Sequence, residues 1–303
     1  MARNRLADPN CRLCHGEGHL YADPDSIVPV MGRTCDCVRR ALGLAQVVHR
    51  LEELELPDRY ADADFDRFWT DNPRMISVID TDKNEPVEVR QSDVDKANLA
   101  RVRELAASPL VGETIAFTGP FGVGKTYLAA CLLRQQVREH GKSGLYTTAY
   151  DYIRRLLPEG ASPEQQRELR KRAKEVDVLL LDDLGVEKAS RFAMSELWGL
   201  LNERTTNART TIVTSNMQIR EALLAARETK SMTPEAREAA EIGQRIWSRL
   251  VEARVPPLVW PEGSYDVRLT GEGAATKGTA DRRVRTELRR ERVEGGVFEE
   301  PSE

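Results

Sequence analysis

The spacing of hydrophobic positions changes repeatedly along the chain, and each change marks an element. Val178 to Leu181 (VLLL) is an unbroken apolar run, the pattern of a strand covered on both faces in a parallel sheet. It predicts a strand over 177–182. Short apolar runs at 113–118, 144–148 and 210–215 predict three more. Helical spacing fills the gaps: 125–139, 150–157, a polar helix over 163–175, 190–205 and 218–228. Strand and helix in alternation predict an α/β fold, a parallel sheet flanked by helices. Upstream, 39–56 and 95–107 also carry helical spacing. Val78, Ile79, Val87 and Val89 hint at a small hairpin in an otherwise irregular stretch. Downstream, 233–254 reads as helix and 258–265 offers a last strand. From Glu272 the periodicity disappears. Glu272 to Glu303 holds seven Lys/Arg and eight Asp/Glu with few apolar residues, so a disordered charged tail is expected.

Composition narrows the class. With 303 residues and 40% apolar content, the chain can bury one substantial core. No apolar stretch reaches 18 residues, so no membrane span is expected. The N-terminus MARNRLADPNC lacks the apolar segment of a secretory signal, which points to a cytoplasmic protein. A net charge of −4 gives no global attraction to nucleic acid, so any such contact must come from a local patch. Five cysteines in a chain of this kind favour metal ligation over disulfides. Four of them form Cys11-x-x-Cys14 and, twenty residues later, Cys35-x-Cys37, which suits a tetrahedral Zn²⁺ site. The second pair is tighter than the commoner spacing, and His15 or His19 could replace one ligand. So small a segment has almost no core, hence zinc would hold it together. Cys131 falls within a helix pattern and reads as core.

Three short segments carry the chemistry. GPFGVGKT (Gly119 to Thr126) matches the phosphate-binding loop and stands between a strand and a helix, as that motif requires. Its backbone amides would cradle phosphate oxygens at the helix N-terminus. Lys125 would reach the β- and γ-phosphates, and the Thr126 hydroxyl would ligate Mg²⁺. The candidate nucleotide contacts are Gly119, Pro120, Phe121, Gly122, Val123, Gly124, Lys125, Thr126 and Tyr127, with Asp182. The VLLL run ends in Asp182-Asp183, two carboxylates at a strand's carboxyl end, where ligands of parallel sheets lie. Asp182 is the candidate magnesium partner of Thr126. Asp183 is the candidate to orient and deprotonate an attacking water. In TIVTSN (Thr211 to Asn216), Asn216 at the strand tip is the candidate γ-phosphate sensor. No Asn-Lys-x-Asp element is present to read guanine, so ATP is the expected nucleotide.

On GPFGVGKTYLAACLL, LLLDDLG, TIVTSN, GQRIWSRLVEA and LPDRYADADFDRF, the chain resembles the AAA+ ATPases. Within them it is similar to the DnaC/DnaI-like replicative helicase loaders and to their relatives, the IstB transposition ATPases, over roughly residues 10 to 270. The cysteine pairs look like the zinc-binding N-terminal domain of the loaders, which IstB-type proteins usually lack. The resemblance implies an arginine finger acting on a neighbouring subunit's nucleotide, at Arg249, with Arg245 as competitor. Relatives often place Glu where this chain has Asp183, one methylene shorter, which implies weak or partner-stimulated hydrolysis. SYDVRLTG is similar to a loader tail segment, but Asp266 departs from the pattern and leaves Arg268 without an assigned role.

Loaders hold single-stranded DNA, and the best place for it here is Arg154, Arg155, Arg170, Lys171 and Arg172, with Arg167 and Lys174 beside them. Tyr150 and Tyr152 could stack a base. The same charges equally suit i,i+4 pairs on a solvated helix. The domains expected are a zinc module (1–40), a linker helix and irregular connector (41–94), an AAA+ ATPase domain (95–271) and the tail (272–303). The function implied is ATP-dependent loading of a DnaB-type helicase onto single-stranded DNA, with self-association through the ATPase domain and no membrane. The alternatives are an IstB-like ATPase regulating a DNA transposase, and a non-catalytic adaptor stabilised by zinc and ATP.

Overall fold

The VLLL run alternates in space as its burial on two faces demands. Strand β7 (Val178–Leu184) sends Val178 and Leu180 to one hydrophobic cluster and Leu179 and Leu181 to another. The computed structural model describes residues 7–15, 17, 19–21, 29–80, 85–185, 190–216, 237, 241–246, 248, 255–261 and 264. Two short antiparallel pairs precede the core: β1 (His19–Tyr21) with β2 (Pro29–Thr34), and β3 (Met75–Asp80) with β4 (Glu85–Arg90). The main sheet adds β5 (Thr114–Thr118), β6 (Gly144–Thr148), β8 (Thr210–Ser215) and β9 (Leu258–Val259) to β7, in the parallel order β6-β7-β8-β5-β9. The expected α/β class and its flanked parallel sheet are therefore what the chain adopts.

Two layers of helix cover the sheet. On one face lie α1 (Asp36–Glu52), α2 (Gln91–Ala106) and α3 (Lys125–His140). On the other lie α4 (Ala149–Leu156), α5 (Pro163–Glu175) and α6 (Arg191–Thr206). The polar helix α5 forms because Ser162 and Gln165 make a reciprocal capping box and Pro163 occupies its first turn. Thr148 and Ser190 cap α4 and α6 through their hydroxyls.

Some boundaries differ from the sequence expectation. Helix α1 starts at Asp36 and ends at Glu52 instead of spanning 39–56, so its first turn contains Cys37. Beyond its end, the Leu54 carbonyl accepts from the Tyr146 amide (2.8 Å) at the outer edge of β6. Helix α2 starts at Gln91, not Asp95, because β4 feeds straight into it and Gln91, Ser92 and Asp95 are buried. The hairpin is present. Residues 241–246 are helical, and Ile246 packs on the α6 side of the sheet. The helix expected over 218–228 and the tail from Glu272 lie outside the described residues. Among those described, no helix is long and apolar enough to cross a membrane.

A buried arginine ties α6 to the sheet. Arg204 is fully buried, and its guanidinium donates to the carbonyls of Ala173 (2.7 Å), Val176 (2.9 Å) and Thr210 (2.5 Å) and to Oγ1 of Thr211 (3.0 Å). It thereby satisfies carbonyls at the end of α5 that no helical amide reaches.

Candidate functional site

The loop between β5 and α3 follows the path its sequence requires. Gly119 has φ 146°, and a Cβ there would stand 2.6 Å from Cβ of Trp260. Gly124 has φ 97°, and a Cβ there would meet the Phe68 ring at 2.6 Å. Both positions therefore need glycine for backbone and for space. The loop's amides lead into the N-terminus of α3, which begins at Lys125. In the loop Phe121 is exposed and Val123 is buried. Tyr127 points away from the tip: its hydroxyl donates to the Asp64 carbonyl (3.1 Å), and its ring stacks on Phe68 at 6.2 Å.

The Lys125 ammonium donates to the carbonyls of Gly119 (2.9 Å) and Pro120 (2.7 Å) and to Oδ1 of Asn216 (2.9 Å). Thus the loop lysine and the asparagine just after β8, 91 residues apart, meet directly. Thr126 donates to Oδ1 of Asp182 at 2.8 Å. Thr214 donates to the same oxygen at 2.5 Å, and the Tyr146 hydroxyl donates to Oδ2 at 3.0 Å. Asp182 is 1% exposed, so three neutral hydroxyls share a buried carboxylate. Burial, followed by the charge of Asp182, pushes the Tyr146 hydroxyl upward from its ordinary pKa. Tyr60 comes close from the connector. Burial raises its pKa, Arg59 and a hydrogen bond with Thr126 oppose the rise, and Asp182 and Asp183 add to it.

The pairing of β7 with β8 shifts register between Leu181 and Leu184. At that bulge Asp183 takes φ 52°, with its amide donating to Oγ1 of Thr214 (2.9 Å). The kink separates two adjacent carboxylates: Asp182 turns into the hydroxyl cage, while Asp183 is only partly buried. Oxygen donors on Thr126 and Asp182, meeting at the end of a phosphate-type loop, fit a hard cation such as Mg²⁺.

The four N-terminal cysteines also converge. All four Sγ atoms lie within 4.8 Å of one another, with Cys11 and Cys35 at 3.7 Å and Cys14 and Cys37 at 3.5 Å. Tetrahedral zinc at its usual bond length spaces sulfurs by about 3.8 Å, so these residues fit that ion. Amides of Leu13 and Cys14 draw the Cys11 thiol down to about 7, whereas burial pushes Cys35 up to about 12. Among the described residues, no histidine joins the group.

Several of the basic residues are ion-paired. Arg170 makes a paired contact with Glu196 (2.9 and 3.1 Å), and Lys174 pairs with Glu203 at 2.5 Å. Arg172 and Arg155 both reach Glu55, at the end of the α1 segment. Arg154 and Lys171 are exposed. Tyr152 is 1% exposed and sits in the core, leaving only Tyr150 on the surface to stack a base. Arg249 and Arg268 lie outside the described residues. Arg245 is exposed and lines a groove of about 350 Å³ with Trp198, Glu241, Gln244 and Ser248.

Sequence reasoning missed Thr214, Tyr146 and Trp260. Thr214 was detectable, since it lies two residues before Asn216 near the end of the same predicted strand. Tyr146 and Trp260 reach the loop and its carboxylate by contacts that no local pattern signals.

The family profile described as IstB-like ATP binding protein matches residues 62–225, more than half of the chain. The IS1162 insertion-sequence protein of Pseudomonas fluorescens, named as ATP-binding, is 29% identical over 156 residues, 49% of this chain and 66% of its own. The replicative helicase loader DnaC of Escherichia coli K12 is 25% identical over 160 residues, 52% of this chain and 57% of its own. This chain thus covers less than two thirds of each of these relatives. A crystal structure of the DnaC helicase loader aligns with 63% of this chain and 96% of its own, at 23% identity and TM-score 0.44.

Proposed function

The chain belongs to the IstB-like ATP-binding protein family, and from that premise we propose that it is a DNA replication ATPase. In this reading it loads a replicative DnaB-type helicase onto single-stranded DNA in the cytoplasm. The observation that carries the nucleotide chemistry is the meeting of Lys125, Thr126, Asp182 and Asn216 at one end of the parallel sheet. Triphosphate oxygens exchange with the carbonyls around Lys125, and Asn216 senses the γ-phosphate beside it. Thr126 and Asp182 hold Mg²⁺, which when bound neutralises charge on the β- and γ-phosphates. Asp183, set apart by the bulge, orients water and accepts its proton. Arg249 of a neighbouring copy completes the site in a self-associated form. Hydrolysis is weak until a partner assembles it, and ATP acts as a switch.

The sulfur cluster favours a loader over its rivals. Cys11, Cys14, Cys35 and Cys37 hold Zn²⁺ in an N-terminal module that engages the helicase. Arg154, Arg155, Arg170, Lys171 and Arg172 supply the DNA contact, with ion pairs at three of them exchanging for phosphates. The insertion-sequence relative supports a second reading, an IstB-like ATPase that regulates a transposase on duplex DNA.

The test is ATP-dependent loading of a helicase onto a single-stranded circle by wild type and by Lys125→Ala. Loading by wild type and none by the variant supports the switch; equal loading by both excludes it. Preference for duplex DNA with no affinity for a helicase favours the second reading.

A further inference from the structure

The back of the phosphate-binding loop rests on a tryptophan far away in sequence. Trp260 is fully buried directly after β9, and its amide donates to the Thr118 carbonyl at 2.8 Å. At Gly119 a single added carbon would lie 2.6 Å from the Trp260 Cβ and 2.7 Å from its carbonyl oxygen, so the two backbones already touch. The carbonyl of the same Gly119 accepts from the Lys125 ammonium. Trp260 therefore lies one residue from the loop's principal charge.

Trp260 is itself fixed from a third element. Its Nε1–H donates to Oδ1 of Asp95 on α2 at 2.8 Å, and its ring stacks on Phe117 at 6.5 Å. Asn98, on the same helix, donates to the Val259 carbonyl at 3.2 Å. Asp95 is 1% exposed, and its Oδ2 is buried without a hydrogen-bond partner. An orphaned buried oxygen is costly, and a neutral carbonyl would satisfy an indole N–H without one. Helix α2 is in turn joined to the β3–β4 hairpin, where the Gln91 and Ser92 amides donate to the carbonyls of Arg74 and Asn72.

We propose that Trp260 is a positioning residue for nucleotide binding, held by Asp95 so that its backbone sets Gly119 and hence the carbonyl cradle of Lys125. The inference rests on the ATP-binding reading of the loop and extends it to α2 and the hairpin. Affinity for the nucleotide then depends on a hydrogen bond that touches neither phosphate nor base.

The experiment measures binding of a fluorescent, non-hydrolysable ATP analogue with Mg²⁺ to the full, zinc-replete chain. Wild type is compared with Trp260→Phe, Asp95→Ala and Asp95→Asn, at a temperature where urea unfolding shows each to be folded. Loss of the indole bond should weaken binding about tenfold in Trp260→Phe and Asp95→Ala. Asp95→Asn keeps an acceptor for Nε1–H and should remain within about twofold of wild type. A residue of purely structural value would lower the unfolding midpoint and leave the affinity of the folded protein alone. Wild-type affinity in folded Trp260→Phe overturns the proposal, and that variant decides alone if Asp95→Ala does not fold. If wild type itself fails to bind the analogue, the ATP reading falls, a result distinct from unchanged affinity in the variants.

Discussion

The Lys125 ammonium and Oδ1 of Asn216 stand 2.9 Å apart, joining the first of the three sequence motifs to the last. The contact implies separable roles. Lys125→Ala removes the charge proposed to face the phosphates, and nucleotide affinity should fall at least about a hundredfold, as titration calorimetry would show. Asn216→Ala should bind within a few-fold of wild type yet lose about tenfold or more in steady-state phosphate release. Equal losses in both measurements would mean that the two side chains act as one.

Asp183 allows a gain as well as a loss. Asp183→Asn should retain binding and lose on the order of 10²-fold in turnover. Asp183→Glu extends the carboxylate by one methylene and should raise basal turnover several-fold. Because φ is 52° there and Glu tolerates that region less well than Asp, the same variant should lose about 1 kcal/mol of stability in urea.

The sulfur cluster sets a metal prediction. The purified chain should carry one zinc, and Cys14→Ala or Cys35→Ser should abolish it, as elemental analysis of the protein would show. The first turn of α1 contains Cys37, so zinc removal should also lower helical circular dichroism. Full zinc content in Cys35→Ser would refute a four-sulfur site.

Asp95 makes stability depend on pH. Burial raises its pKa from 3.8 to about 6, with the indole hydrogen bond only partly offsetting the rise. The folded chain therefore holds this proton more tightly than the unfolded chain. Its contribution is full below about pH 4 and is lost as pH rises through about 6, a change of up to about 3 kcal/mol. Asp95→Asn should flatten urea midpoints across that window, and an unchanged slope would refute the assignment.

Arg204 predicts a cost. Arg204→Leu would leave several buried carbonyls without donors and should destabilise the chain by about 3–5 kcal/mol in urea unfolding. Arg204→Lys should recover only a minor part, because one ammonium cannot span acceptors on α5, on β8 and between α5 and β7.

What could be read from the sequence follows a physical division. β7 was legible because burial on both faces leaves an unbroken apolar run, and the loop was legible because phosphate contact constrains consecutive residues. The start of α2 was missed because Gln91, Ser92 and Asp95 are polar yet buried, which hides the helical period. The ion pairs of the basic residues on α4 and α5 were not legible, because their partners Glu55, Glu196 and Glu203 lie far away in sequence. Spacing alone cannot distinguish a charge facing solvent from one facing a distant carboxylate. Trp260 and Asp95, 165 residues apart, belong to the same class of contact.

Leu54 and Asp182 are joined through one residue: Tyr146 gives its amide to the first and its hydroxyl to the second. Upstream of Leu54 runs α1, a rod about 26 Å long whose other end is planted among the sulfurs. The sulfur cluster and the Asp182 carboxylate are thus connected along one continuous run of helix, chain and hydrogen bonds. Whatever fixes the direction of that rod therefore also bears on the two hydrogen bonds that end at Asp182.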